Sequence, residues 1–150
     1  MRDAINEAMK TALKARDARR TATLRAISAA IKDRDIAVRT ENRGPITNEE
    51  ILTLIQKMVK QREESFAIYA QAGRTDLATV EKEEIDILNE FLPKGLSEAE
   101  VDDAIRAAIA KTGAEGGKEM GKVIASLKAD YPGRIDFSKA SAKVKAALAG

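Results

Sequence analysis

The 150-residue chain contains no cysteine and no histidine. Thiolate and imidazole metal sites, cysteine or histidine nucleophiles and a Ser-His-Asp triad are therefore excluded within it. Disulfides are excluded as well, which fits a reducing compartment. Tryptophan is absent and only five residues are aromatic: Phe66, Tyr69, Phe91, Tyr131 and Phe137. That is too few for a platform on which single-stranded bases stack. The longest charge-free run, Ser65 to Gly73, has nine residues, far below the roughly 20 of a membrane span. The opening MRDAINEAMK has no apolar stretch of the signal-peptide kind. A cytoplasmic protein without a membrane segment is expected.

Nucleotide-binding glycine motifs are missing too. Neither G-x-x-x-x-G-K-[ST] nor G-x-G-x-x-G occurs, and no strand pattern exists to aim such a loop. Gly116-Gly117-Lys118 could offer amide protons to a phosphate, but it reads better as a flexible turn entering a helix. No cofactor and no metal are expected.

What the chain has is alanine, 27 residues of it, and alanine is the strongest helix former. The helix punctuation is correspondingly clear. The first helix is expected from about Ala4 to Arg16, capped by Asp3, with Ile5, Met9, Ala12 and Leu13 on its apolar face. A second runs from about Ala18 to Arg39 on Leu24, Ile27, Ile31 and Val38. Thr47-Asn48-Glu49-Glu50 is a capping box. It opens a third helix on Ile51, Ile55, Met58, Arg62, Phe66 or Ser65, and Tyr69, with Gly73 just past its end. A fourth starts near Asp76 with Leu77, Val80, Ile85, Leu88 and Leu92, and Pro93 is expected to stop it.

Pro93-Lys94-Gly95 is the best boundary, because a second capping box, Ser97-Glu98-Ala99-Glu100, follows at once. The fifth helix should bury Val101, Ile105 and Ile109 and end at Gly113. A sixth is expected from Lys118 to about Ala129, then a turn at Tyr131-Pro132-Gly133. A last helix, capped by Asp136 or Ser138, carries Ala140, Val144 and Leu148. The expected fold is all-α: an N-terminal four-helix unit over residues 1–92, then a C-terminal three-helix unit over 93–150. A monomer is expected, since each unit can close its own core.

The net charge is only +2, but it is unevenly spread. Residues 1–43 carry eleven basic and six acidic side chains, and residues 44–92 carry five and ten. Residues 93–110 have two and four, and residues 111–150 have eight and four. Such asymmetry marks either a polyanion surface or solvated helix faces. In the last third, Lys118, Lys122, Lys128, Arg134, Lys139, Lys143 and Lys145 are candidate phosphate contacts. Arg25, Ser28 and Lys32 share one face of the second helix, and Lys10 and Lys14 form a similar pair on the first. Glu81 and Glu84, with Asp76 a turn earlier, are the candidate acids. Carboxylates on one face can do acid/base work or hold a cation. Ion pairing to Lys60 and Arg62 across a helical hairpin is the structural alternative.

Several stretches together resemble one family, the YqeY proteins, over essentially the whole chain. They are Leu24-Arg25; Lys57-Met58-Val59-Lys60-Gln61-Arg62-Glu63-Glu64-Ser65 with Tyr69; Ala72-Gly73-Arg74 with Asp76-Leu77; and Glu81, Glu84 and Phe91-Leu92-Pro93. Met120-Gly121-Lys122-Val123, Gly133-Arg134, Asp136, Val144 and Leu148 continue the match. Phe91 stands where the family usually has tyrosine, and Ile124-Ala125 where it often has methionine and glycine. These proteins are small relatives of the tail of the B subunit of glutamyl/aspartyl-tRNA amidotransferase, a helical appendage that contacts tRNA.

The resemblance implies a helical bundle followed by a three-helix unit, and a tail without the enzyme's catalytic body. It implies a scaffold signature in Arg25, Lys60, Arg62, Gly73, Arg74, Asp76, Glu81, Glu84, Pro93 and Gly121. Gly73 would supply a positive φ, Arg74 with Asp76 would pin the turn, and Arg62 would pair with Glu81 or Glu84. The seven basic residues of the last third would face tRNA. Three functions stay open at this point. One is a non-catalytic tRNA-binding accessory, and one is a module docking an amidotransferase or an aminoacyl-tRNA synthetase. The third is an amide-transfer or hydrolytic enzyme using Glu81 and Glu84.

Overall fold

The structure, a computed structural model, describes residues 1–149. Helices and turns account for all of its regular structure among the described residues, so the all-α class holds. The chain divides into two compact units, Met1–Leu92 and the segment from Pro93 onward.

In the first unit, α1 spans Arg2–Lys14 and α2 Ala18–Arg39. The start of α1 corrects the sequence reading. Met1 is the cap residue, its carbonyl accepting from Ile5 N–H at 3.1 Å. Asp3 lies inside the first turn, where its charge still complements the helix dipole. Leu13 is 50% exposed rather than buried, because α1 ends a residue later and the chain turns away through Arg16 at φ 55°. Asp17 then caps α2, its carboxylate accepting from Arg20 N–H at 3.0 Å.

Thr47 opens α3, Asn48–Gln71, with a complete capping box to Glu50. At the far end Gly73 takes φ 71°, a conformation that only glycine adopts freely. Gly73 N–H donates to the Ala70 carbonyl and Arg74 N–H to that of Tyr69, which satisfies two carbonyls at the helix end. The chain reverses there into α4, Thr75–Asn89. Pro93 does not stop α4 as expected. The helix ends four residues earlier and tightens through Glu90, Phe91 and Leu92, whose amides donate to carbonyls three residues back.

The second unit holds α5, Glu98–Thr112, α6, Met120–Asp130, and α7, Phe137–Ala149. Ser97 and Glu100 form the cap of α5, and Gly113 closes it at φ 68°. A short 3-10 turn, Gly117–Glu119, replaces the expected first turn of α6. The Glu119 carboxylate accepts from Glu115 N–H at 2.7 Å and holds that turn.

Each unit has its own core. Ile5, Leu24, Ile27, Ile51, Ile55 and Leu88 are at most 1% exposed in the first, and Val123, Leu127, Ile135 and Val144 at most 2% in the second. Of the two alternatives on α3, Ser65 is half-buried and Phe66 exposed. A further expectation about side chains fails. In α5, Val101 and Ile109 are only half-buried, while Ala104 and Ala108 are fully inside. Ile105 is buried as expected, so the core residues of α5 are Ala104, Ile105 and Ala108.

One polar node ties three segments of the first unit together. Arg2 donates to both oxygens of Asp35, at 2.8 and 2.9 Å, and to the Ile46 carbonyl at 3.1 Å. Asp35 also accepts from Ile46 N–H at 2.9 Å. The guanidinium bonds, then the Ile46 amide, hold the Asp35 carboxyl at about 2, below its ordinary 3.8. A depressed acid stabilises the fold above its unfolded value and loses that contribution as pH falls through the folded one. Asp35→Asn should therefore melt below wild type at pH 7, with the gap closing between about pH 4 and pH 2. Thermal melts followed by circular dichroism across that range test this, and a gap that stayed constant with pH would refute it.

Candidate nucleic-acid interface

The acidic helix α4 is occupied by arginines. Arg62 Nε donates to Glu84 at 2.8 Å, each side chain being 20% exposed. Arg62 also donates to the Met58 carbonyl on its own helix, at 3.4 Å. From α2, Arg19 reaches Glu83 at 3.1 Å and Arg20 reaches Glu90. Glu84 is thus a neutralised carboxylate bonded across the α3–α4 hairpin. Glu81 is half-buried beside it. Burial pushes the Glu81 carboxyl above its usual range, Glu84 adds to the shift, and Arg62 opposes it. No cluster of acids among the described residues could hold a metal ion.

The other signature positions scatter. Arg74 bonds Asp76 at 3.3 Å on the open surface, and that contact lowers the Asp76 carboxyl. Arg25 is exposed on α2, and Lys60 is exposed on α3. Gly121 sits in α6 with open space at its α-carbon, so neither conformation nor packing demands glycine there. Pro93 begins the second unit.

The second unit holds the seven basic candidates, and ion pairing sorts them. Lys143 is committed: its Nζ donates to Asp102 at 2.9 Å and to Glu98 at 3.3 Å, and these bonds, Asp102 first, raise its affinity for the proton. Lys122 donates to Glu119 at 3.1 Å, one turn back. Lys128 lies 5.5 Å from the centre of the Phe137 ring, and the Arg134 guanidinium 6.0 Å from that of Tyr131. Both contacts leave the cation a polar outer side. Lys118, Lys139 and Lys145 are exposed, with no ion-pair partner among the described residues.

Arg134 is placed by the backbone around it. Its Nε donates to the Lys94 carbonyl at 3.0 Å, and its own carbonyl accepts from Leu96 N–H at 2.9 Å. That leaves the terminal guanidinium nitrogens for a ligand. Arg134, Lys139 and Lys143 come together on the rim of a cleft of about 360 Å³ between the starts of α5 and α7. Leu96, Val101, Ile135 and Ala140 make its apolar wall, and Glu98 and Asp136 its acidic edge. Asp136 is occupied with capping α7, accepting from Ser138 N–H at 3.0 Å. A cleft of this kind can take a phosphate against Arg134 and Lys139, with the apolar wall left for a sugar or base. Counting charges along the sequence misses Glu98 and Asp102 as the partners of Lys143. The signal available was their i, i+4 spacing on α5, which presents both acids to one side.

The family model for Yqey-like proteins matches residues 2–148. Among curated proteins, the chain is similar to one named Altered inheritance of mitochondria protein 41, mitochondrial, of Pyrenophora tritici-repentis (strain Pt-1C-BFP). The two are 30% identical over 129 residues, 80% of this chain and 67% of the relative. The protein of the same name from Clavispora lusitaniae (strain ATCC 42720) is 32% identical over 84 residues, 56% of this chain and 46% of the relative.

The acids of α4 generate opposite expectations. Glu84→Gln breaks a part-buried charged bond and should cost about 1–2 kcal/mol. Glu81→Gln removes a carboxylate whose charge the fold disfavours, so it should raise the stability at pH 7. The sign follows from the raised Glu81 value: wild type gains stability as Glu81 protonates, so the advantage of the variant vanishes in acid. Urea denaturation at pH 7 and pH 4 measures both, and equal losses for the two variants at pH 7 would contradict this account.

Proposed function

We propose that this chain, which belongs to the YqeY family, is a non-catalytic RNA-binding accessory that holds tRNA through the basic surface of its second unit. The observation that carries the reading is the grouping of Arg134 and Lys139 at one cleft, with Lys118, Lys128 and Lys145 also exposed. Cations without acidic partners are the ones that release counterions from a phosphate backbone. With five aromatics in the chain, recognition rests on the backbone and shape of a folded RNA rather than on stacked bases. A catalytic use of Glu81 and Glu84 is disfavoured because Arg62 neutralises Glu84. The names of the relatives place those proteins in mitochondria; the reading for this chain is a cytoplasmic one.

A second reading has its own support. On α3, Ile68 is 64% exposed and Phe66 38%, on different sides of the helix, so each is a single apolar contact open to docking an amidotransferase or an aminoacyl-tRNA synthetase. It calls for a partner retained in pull-downs at salt that abolishes RNA binding.

The primary test is fluorescence anisotropy of labelled tRNA against the intact protein, with an unstructured RNA of equal length as control. If about four phosphates are neutralised, affinity should fall roughly 50- to 150-fold between 50 and 200 mM salt. Lys118, Lys139 and Lys145 changed together to Gln should flatten that dependence, whereas Lys122→Gln should alter it little. No preference for tRNA over the control would end this reading.

A further inference from the structure

The basic residues of the first unit are not explained by that function. Five of the eleven in residues 1–43 are committed: Arg2 to Asp35, Lys10 to Glu7, Arg19 to Glu83, Arg20 to Glu90 and Arg43 to Glu50. Arg25, Lys32 and Arg39 are exposed on α2 and make no ion pair among the described residues. Arg39 only adds a weaker attraction to Asp35, whose carboxylate Arg2 already holds.

Their spacing is regular. Successive members are seven residues apart, almost two full helical turns, so they form one line with steps of about 10.5 Å and a total length of about 21 Å. The face they share carries Arg25, Ser28, Ala29, Lys32, Ile36 and Arg39, and the one acid at its edge, Asp35, is already bonded by Arg2. Beside the line, a notch of about 170 Å³ lies between α1 and α2. Asn6, Ser28 and Lys32 are in its wall.

We infer that this face of α2 is a second line of contact with the phosphate backbone of duplex RNA. The choice of RNA as ligand rests on the function proposed above; the line of cations is independent of it. Three positive charges at equal steps along one helix match a regular array of phosphates better than a single anion. No aromatic residue lies on this face to stack an unpaired base. Its one large apolar side chain, Ile36, is too little to anchor a helix in a lipid interface. Asn6 and Ser28 supply neutral groups that can bond a 2′-hydroxyl, the feature that distinguishes RNA at a backbone contact.

The test compares the intact wild-type chain with two triple variants in salt titrations against labelled tRNA and a blunt RNA hairpin. One variant is Arg25→Gln, Lys32→Gln and Arg39→Gln; the other is Lys118→Gln, Lys139→Gln and Lys145→Gln. Circular dichroism checks that both fold, and the double variant Arg25→Gln and Lys32→Gln replaces the first triple if that one does not. Loss of three phosphate contacts on α2 should lower the slope of log affinity against log salt by about 2 to 3 for either RNA. A wild-type slope and affinity in the α2 variant, with loss in the other triple, would overturn the inference and leave the function standing. The α2 face would then be a candidate for a protein partner. Loss in the α2 variant alone would support the inference while removing the second unit from the function. Failure of wild type to bind either RNA would overturn both.

Discussion

Arginine-to-carboxylate pairing between helices is the constraint on which much else in this structure depends. Cores built mainly of alanine, isoleucine, leucine and valine bury area well but specify position along a helix weakly, because many registers offer similar apolar surfaces. The half-buried pair Arg62–Glu84 sets α4 against α3, and the more exposed Arg19–Glu83 and Arg20–Glu90 join α2 to α4 and to the turn after it. Arg2 and Asp35 do the same for α1 and α2 and fasten the loop before α3 as well. Such pairs contribute more to choosing a geometry than to deepening the well. They also define the functional surface by subtraction, since only the cations left over are available to a ligand.

That subtraction explains why the helices were legible in the sequence and the site was not. Helix ends are set by neighbours within a few residues, so Thr47 with Glu50, Ser97 with Glu100, and Gly73 announce themselves. The misreadings are of two local kinds. Asp3 looks like a cap but sits inside α1, because a main-chain carbonyl one step earlier already starts the helix. Pro93 looks like the stop of α4, yet the chain has left helical geometry before reaching it. Phe66 and Leu13 fall on an apolar stripe by periodicity, but no element covers the ends of those stripes.

The status of a charge depends instead on residues far away in sequence. Lys143 counts as a free cation until Asp102, 41 residues earlier, is seen beside it. Lys139, four positions before it, has no such partner. Arg134 appears in the sequence as one more positive charge in a basic stretch. In the fold its backbone bonds hold it against Lys94 and Leu96, which is what places it at the cleft. Chemistry that needs histidine or cysteine was excluded by composition alone, and the bond to Arg62 occupies Glu84, one of the two candidate acids.

The bonds joining Arg134 to Lys94 and Leu96 span about forty residues. By contrast, the α1–α2 and α3–α4 reversals link neighbours in the chain. Closing a long loop loses entropy before any contact compensates for it, so local hairpins form first and distant closures follow. The Arg134 closure thus belongs to the late side of the folding barrier, where interactions slow unfolding without speeding folding. The same arginine that offers its guanidinium to the cleft is therefore a determinant of how long the second unit, once folded, stays closed.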